Sequence, residues 1–170
     1  MSSLSPSPAY NLIKVASRLK HICPYFKSVI DRRYRPNSRR ELLHVPYDWR
    51  RSNRVSARRL AAIVPTWLNA WREKSGNSEA KVVFVVHSMG GLVARHYVEC
   101  LKGWKMTTTI LSFGTPYKGS GNALGFLCNG FAWKIGPVKA FDGTDVLRSF
   151  DSVYQLLPTY PFVKEPGQGL

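Results

Sequence analysis

The fold is decided by residues 81–91, which read Lys81-Val82-Val83-Phe84-Val85-Val86-His87-Ser88-Met89-Gly90-Gly91. Residues 82–86 form a continuous β-branched and aromatic run, which is typical of a strand buried on both faces of a parallel sheet. After the glycines, an apolar stripe predicts a helix that Gly103 ends. The stripe consists of Leu92, Val93, Tyr97, Cys100 and Leu101. This stretch therefore predicts a strand, a tight turn at Ser88 and a helix.

Two more strands are predicted around this unit. One comprises Leu42 to Val45 and ends at Pro46, and the other comprises Thr108 to Phe113. Strands that alternate with helices are typical of an α/β sheet. The sequence therefore predicts an α/β fold with a parallel sheet flanked by helices.

A second helix is predicted between the first of these strands and the run at Val82. Asn53 is the expected N-cap, and Pro65 is expected to kink or divide the helix. The residues that line one face recur at steps of four, three and four. They are Leu60, Val64, Trp67 and Trp71.

The turn at Ser88 supplies two of the features that a serine nucleophile needs, namely exposure and an oxyanion donor. A serine hydroxyl reacts only when it is exposed, has a base beside it and has donors for the oxyanion that develops. A sharp strand-to-helix turn exposes Ser88 and aims the N–H of Met89 at the reacting carbonyl. The flanking residues that support the turn are His87, Gly90 and Gly91.

The usual pattern, Gly-x-Ser-x-Gly, is only half present, because Val86 occupies the first glycine position. The alternative is an ordinary glycine-rich turn, or one that binds phosphate. Residues 86–91 lack both the Gly-x-Gly-x-x-Gly spacing and the Gly-Lys-Ser/Thr ending of phosphate sites. We therefore favour the nucleophile elbow and expect no cofactor.

Composition and charge limit the class of protein. With 170 residues and 44% hydrophobic content, the chain has enough apolar material for one domain. The net charge is +15, and residues 1–60 hold fourteen Lys/Arg against three Asp/Glu, which gives +11 for that part. Such a field attracts anionic membrane surfaces or nucleic acid, although a solvated basic surface explains it equally well. The sequence has no nucleic-acid-binding motif, which argues against that partner.

Cysteine usage and hydropathy bear on disulfides, metal binding and cellular location. Cys23, Cys100 and Cys128 fit neither a disulfide framework nor a zinc site, so we expect free thiols and no metal. No run reaches the roughly 20 apolar residues of a membrane-spanning helix, and residues 1–10 lack the apolar core of a signal peptide. The sequence therefore predicts a cytoplasmic protein or one attached peripherally to a membrane.

Three segments beyond the elbow carry a family likeness. They are Pro46-Tyr47-Asp48-Trp49-Arg50; Gly114-Thr115-Pro116 with Gly119-Ser120 and Ala123-Leu124; and Arg148-Ser149-Phe150 through Tyr154-Gln155-Leu156-Leu157-Pro158. Together with His87-Ser88-Met89-Gly90-Gly91, they resemble the lecithin:cholesterol acyltransferase-like branch of the α/β-hydrolases, which groups acyltransferases, phospholipases and related lipases. The resemblance spans about residues 41–161.

The resemblance implies a partial α/β-hydrolase fold and acyl transfer from a lipid ester or phospholipid through an acyl-enzyme on Ser88. It also implies a cap after the strand that follows the elbow. That cap would bring an apolar set near an acyl pocket or a lipid surface, although packing under a loop is an equal alternative. The set is Leu124, Phe126, Leu127, Phe131 and Trp133.

Three segments are expected along the chain. Residues 1–40 form a basic N-terminal segment, in which Leu12 to Ile22 has an amphipathic helical pattern before Pro24. Residues 41–117 form the central α/β-hydrolase core with the elbow. Residues 118–170 form a loop-rich segment, the start of a cap, with a weak helical stretch from Thr144 to Leu157.

The histidine and the acid of a catalytic triad stay unassigned. In this fold they follow the serine, and His96 is the one histidine after Ser88. On a regular helix His96 lies roughly 12 Å along the axis from Ser88, which favours a packed core histidine. His87 points to the opposite face, His21 and His44 precede the serine, and no histidine is available to pair with Asp142, Asp145 or Asp151. A truncated or inactive hydrolase domain that binds anionic lipid surfaces is the alternative reading.

Overall fold

A computed structural model of the chain describes residues 11–15, 42–135 and 138–161. Its main sheet has four strands in the order β2-β1-β3-β4, and every neighbouring pair is parallel. The strands are β1 (Asn11–Val15), β2 (Leu42–His44), β3 (Val82–His87) and β4 (Thr107–Phe113). The predicted α/β fold with a parallel sheet is therefore confirmed.

The core lies between the sheet and two helices, α1 (Asn53–Ser75) and α2 (Gly90–Cys100). Val82, Phe84 and Val86 point to this face of β3, because side chains two apart share a face. They pack against the buried faces of both helices, in one cluster with Leu60, Val64, Leu68, Trp71, Val93, Ala94 and Tyr97. Each large apolar side chain buried there contributes about 1.5–3 kcal/mol.

Strand β3 is buried on both faces, as its unbroken apolar run predicts. Val83 and Val85, on the face away from the core cluster, are 8% and 5% exposed. Strand β4, at the edge of the sheet, is more exposed, with Leu111 46% and Phe113 43% accessible. The sequence therefore places its most apolar strand inside the sheet, with β1 on one side and β4 on the other.

Helix α1 differs from expectation at two residues. Its N-cap is Ser52 and not Asn53, because the Ser52 hydroxyl accepts a hydrogen bond from the Arg54 N–H. Pro65 does not divide the helix, which continues to Ser75. Gly76 ends it in the left-handed conformation, with φ of 69°, as glycine does at helix C-termini.

The helix predicted from Leu12 to Ile22 is wrong at its beginning. Residues 11–15 are strand β1, which pairs with β2 on one side and with β3 on the other. Three apolar residues in five fit either period, and pairing on both sides decides for the strand. Residues 16–41, with the remainder of that prediction, His21 and Cys23, lie outside the described residues.

The segment after residue 117 contains more regular structure than its loop-rich sequence suggests. It holds α3 (Gly121–Asn129), an antiparallel hairpin of β5 (Ala132–Ile135) and β6 (Val138–Asp142), α4 (Thr144–Arg148) and α5 (Asp151–Tyr154). The weak helical stretch from Thr144 is two short helices.

The C-terminal end of α2 also differs from the prediction. Cys100 is exposed, so it does not belong to the apolar stripe. The chain turns at Lys102, which has φ of 59°, and Gly103 begins a short 3-10 turn, Gly103–Lys105. Cys100 and Cys128 are both free thiols. Within the described ranges, no helix is long and apolar enough to cross a membrane.

Candidate functional site

Ser88 lies at the carboxyl edge of the sheet, in the turn between β3 and α2. Its φ is 51°, a left-handed value that non-glycine residues rarely adopt. Its N–H donates to the Phe113 carbonyl at 2.9 Å, which extends the pairing of β3 with β4 past the end of the strand. Ser88 is exposed, whereas Val86 and Met89 are buried. The turn therefore exposes Ser88 to solvent, while its neighbours Val86 and Met89 are packed in the protein.

The first turn of α2 directly follows the serine. Met89 is the N-cap, and the helix hydrogen bonds begin with the Gly91 N–H, which donates to the Ser88 carbonyl at 3.0 Å. The Met89 and Gly90 N–H groups come before this bond, at the positive end of the helix. Gly91 is required by contact, because a Cβ there would overlap the Thr115 Oγ1 and Cγ2.

Val86 is accommodated without displacing the elbow. It is fully buried, belongs to the core cluster, and pairs with Val15 and Ser112 on the neighbouring strands. A β-branched residue fits here because its side chain joins the layer of Val82 and Phe84 beneath the helices. His87, the last residue of β3, is partly buried and pairs in register with Phe113.

The other candidate acids and bases are spread over the fold. His96 is partly exposed on α2, so it is not the fully packed core histidine expected from the sequence. His44 ends β2 at the same sheet edge as Ser88, but β1 lies between β2 and β3, which separates the strands by about 10 Å. Among the described residues, no three His, Cys, Asp or Glu side chains are grouped closely enough to hold a metal ion.

The Pro46–Arg50 loop follows β2 at this edge. Asp48 accepts two hydrogen bonds from the Arg50 guanidinium, both at 2.8 Å, and these bonds lower the pKa of Asp48 to about 2. Asp48 is therefore ionised and engaged, which does not suit a proton-transfer role. Burial raises the pKa of the Tyr47 phenol to about 12. Trp49 packs edge-on against Phe150, with ring centroids 5.3 Å apart.

Residues 150–159 join two loops at the carboxyl edge, and we call them the strap. Toward the loop after β2, the Gln155 side chain accepts from the Asn53 N–H and donates to the Ser52 hydroxyl, both at 2.7 Å. Toward the loop after β4, the Leu156 carbonyl accepts from the Ser120 N–H at 2.7 Å. The sequence segments that share the family likeness are therefore in contact in three dimensions.

Gly119 shows how closely the strap approaches the loop after β4. It has φ of 92°, and a Cβ at this position would overlap the Leu157 carbonyl oxygen. The Thr159 N–H donates to the Lys118 carbonyl at 2.9 Å. The sequence did not indicate that Gln155 and Thr115 support the site. Their roles depend on contacts with residues that are distant along the chain.

Helix α3 carries three of the apolar residues that the sequence assigned to a cap, and Phe131 follows two residues after its end. Phe126 and Phe131 are 44% and 47% exposed, and their rings meet edge to face at 6.3 Å. Arg148 donates to the Leu127 carbonyl at 2.7 and 3.0 Å and so holds the C-terminal end of α3. The aromatic pair is presented to solvent and is not packed under a loop.

An apolar groove of about 550 Å³ lies elsewhere, between β2 and α1. Its lining contains no residue of the elbow and consists of Leu43, His44, Val45, Pro46, Arg59, Ala62, Ile63, Thr66, Trp67 and Ala70. The groove therefore is not the pocket of Ser88.

Comparison with known families decides the relationship. The model of the family described as Lecithin:cholesterol acyltransferase matches residues 14–167, nearly the whole chain. The chain belongs to this family. The match includes the elbow, the Pro46–Arg50 loop and the strap, so the resemblance seen in the sequence is confirmed.

One solved structure supports the fold of this family member. A chain from "The crystal structure of Tle4-Tli4 complex" is similar over 69% of this chain, with 24% identity and a TM-score of 0.54. Our chain spans only 24% of that chain's length. The comparison with curated proteins gave no match.

Proposed function

We propose that this chain carries the nucleophile of a serine enzyme that transfers or hydrolyses the acyl groups of lipid esters. One observation carries the proposal: Ser88 is exposed in a left-handed turn between a buried parallel strand and α2. A strained backbone at a non-glycine residue persists only where the surrounding structure holds it, and such residues concentrate at active sites. Membership of the family supports lipid esters as the substrate class.

In the proposed reaction, the Ser88 Oγ attacks the ester carbonyl while a general base takes its proton. The carbonyl oxygen gains negative charge, which the Met89 N–H at the helix N-terminus stabilises. The tetrahedral intermediate collapses, and the leaving alcohol takes the proton and departs, which leaves an acyl group on Ser88. Water or a second alcohol then releases that group. Base and acid are not assigned to residues of this chain.

The division of the chain that we propose assigns strand β1 (Asn11–Val15), together with residues 41–117, to the core that holds the elbow, because β1 pairs with β2 and β3. The rest of residues 1–40 stays the basic N-terminal segment. The cap would begin at residue 118 and present Phe126 and Phe131 to the acyl chain or to the lipid surface. The exposure of this pair supports such a role, because exposed neighbouring aromatic rings are costly in water and favourable at a lipid interface.

Labelling with a fluorophosphonate probe tests the nucleophile directly. Wild type should label, and Ser88→Ala should not. Ser78→Ala is the matched control, because Ser78 is also exposed but follows α1, outside the elbow. If wild type and Ser88→Ala label to the same weak extent, Ser88 is not an activated nucleophile and the proposal fails.

A second candidate function is binding to anionic lipid surfaces without catalysis. The exposed pair of Phe126 and Phe131 and the charge of +15 favour it. Sedimentation with vesicles that contain anionic lipid should show binding that weakens as salt rises. Phe126→Ser with Phe131→Ser should reduce that binding. Equal binding to neutral vesicles would rule out the electrostatic part.

A further inference from the structure

The loop after β4 runs along one face of α2. Thr115 lies over Gly91 in the first turn, and the Tyr117 ring lies 5.7 Å from the Arg95 guanidinium carbon. Gly91 and Arg95 are four residues apart, so they share a helix face. The loop therefore contacts two successive turns of the helix that begins at the elbow.

The contact at Gly91 is made by the shape of Thr115. A Cβ on Gly91 would lie 2.8 Å from the Thr115 Cβ and would overlap both of its γ atoms. The Thr115 Oγ1 is buried and has no hydrogen-bond partner among the described residues. A buried hydroxyl without a partner lowers stability, so hydrogen bonding does not explain what this side chain contributes. Its contribution is steric.

This contact lies in the first turn of α2, close to Ser88 along the chain. The Gly91 N–H donates a hydrogen bond to the Ser88 carbonyl, so the position of Gly91 is linked directly to the backbone of Ser88. The Met89 N–H lies between them in the chain. A displacement of the first turn would move the serine and the donor together.

We propose that Thr115 is a positioning residue for the acyl-transfer site: its branched side chain is a wedge that fixes the first turn of α2 through Gly91, and thereby the Met89 N–H and the Ser88 hydroxyl. The proposal rests on the proposed function of Ser88. The wedge acts through packing and touches no reacting atom. A valine at position 115 would therefore replace it, whereas a smaller residue would not.

The test compares four variants by the rate of fluorophosphonate labelling and by thermal melting. Thr115→Val should label within about twofold of wild type and melt no lower. Thr115→Gly, which removes the wedge, and Gly91→Ala, which collides with it, should each label about tenfold more slowly, since small displacements of catalytic groups have large effects on rate. Gly91→Ala combined with Thr115→Gly should recover most of the loss, because the added methyl group then has room and itself occupies the space that the Thr115 γ atoms fill.

A second measurement separates this proposal from the proposed function. The amide resonances of Met89 and Gly90 should shift in Thr115→Gly and stay in place in Thr115→Val, with Gly125 as a distant reference. If wild type does not label but these resonances behave as stated, the role of Ser88 fails and the wedge stands. If Thr115→Gly leaves both labelling and resonances unchanged, or the losses of the two single variants simply add in the double variant, the wedge is overturned.

Discussion

A left-handed residue stands at each end of α2, but the two residues differ in what they do. Ser88 before the helix and Lys102 after it are the two non-glycine residues of the described ranges with positive φ, at 51° and 59°. Each is close to a glycine that a neighbour presses upon, Thr115 at Gly91 and the Tyr97 ring at Gly103. A left-handed residue thus does not by itself indicate a reactive group.

The difference between the ends lies in what the turn presents. At the first end, a buried strand and the helix N-terminus converge on one exposed hydroxyl. At the second end, the left-handed residue only stops the helix, as residues after a helix C-terminus commonly do. Two residues later, Trp104 is 59% exposed and contacts Lys105. Glycine would serve at Lys102, whereas at Ser88 it would remove the hydroxyl that we propose as the nucleophile.

The largest expected effect follows from that contrast. Ser88→Gly should lower the labelling rate by more than about a thousandfold, because removal of a nucleophile abolishes the covalent route. Lys102→Gly, the same change at the other end, should leave labelling unchanged. A comparable loss in both variants would mean that labelling reports the integrity of the helix and not the chemistry of Ser88.

Substitution of Gly103, after the C-terminal end of α2, should affect stability and not the labelling of Ser88. Gly103→Ala would drive a methyl group into the Tyr97 ring and should lower the free energy of unfolding by about 1–3 kcal/mol. Gly125→Ala is the control, because a Cβ there has open space and alanine favours a helix. Urea unfolding measures both. The close contact is refuted if the two variants unfold alike.

Alkaline pH should lower the free energy of unfolding through two buried phenols. Burial raises the pKa of Tyr47, near the carboxyl edge, to about 12, and it also raises the pKa of Tyr97, beneath Gly103. The unfolded chain ionises near pH 10, so the stabilisation is complete below pH 10 and is lost as pH rises toward 12. For Tyr47 the full loss amounts to about 3 kcal/mol. Urea unfolding from pH 8 to 11.5 should show a shallower decline for Tyr47→Phe, and an unchanged slope would contradict the burial of the phenol.

The smallest effect concerns strain alone. Lys102→Gly should raise the free energy of unfolding by about 0.5 kcal/mol, because relief of the left-handed conformation slightly exceeds the entropy that glycine adds to the unfolded chain. Thermal melting of Lys102→Gly beside Lys102→Ala measures the difference. A lower melting temperature for the glycine variant would show that Lys102 makes a stabilising contact that outweighs its strain.

The sequence predicted those parts of the fold that depend on local pattern. The run at Val82 is apolar throughout because the strand has neighbours on both sides and is covered on both faces, and the elbow follows from it directly. Strand β1 was mistaken for a helix, because five residues with three apolar side chains fit either period and only parallel pairing with two strands decides. The hairpin of β5 and β6 was missed in a stretch of aromatics and glycines that lacks strict alternation.

The candidate site was likewise predictable only where it depends on a local motif. Ser88, Met89 and the glycines follow from one continuous motif. Thr115 comes 24 residues after Gly91 and reaches it only because β4 pairs with β3. Packing between distant segments leaves no periodic signal, so the family segments could be recognised but their mutual contacts could not.

The contact of Gln155 with α1 can form only late during synthesis of the chain. It caps the start of α1, yet it lies 102 residues beyond Asn53 in the chain. During synthesis at about 5–20 residues per second, roughly 5 to 20 s pass before the ribosome delivers the partner of the Asn53 N–H. The N-terminal turn of α1 is therefore completed only after synthesis has proceeded another 102 residues along the chain.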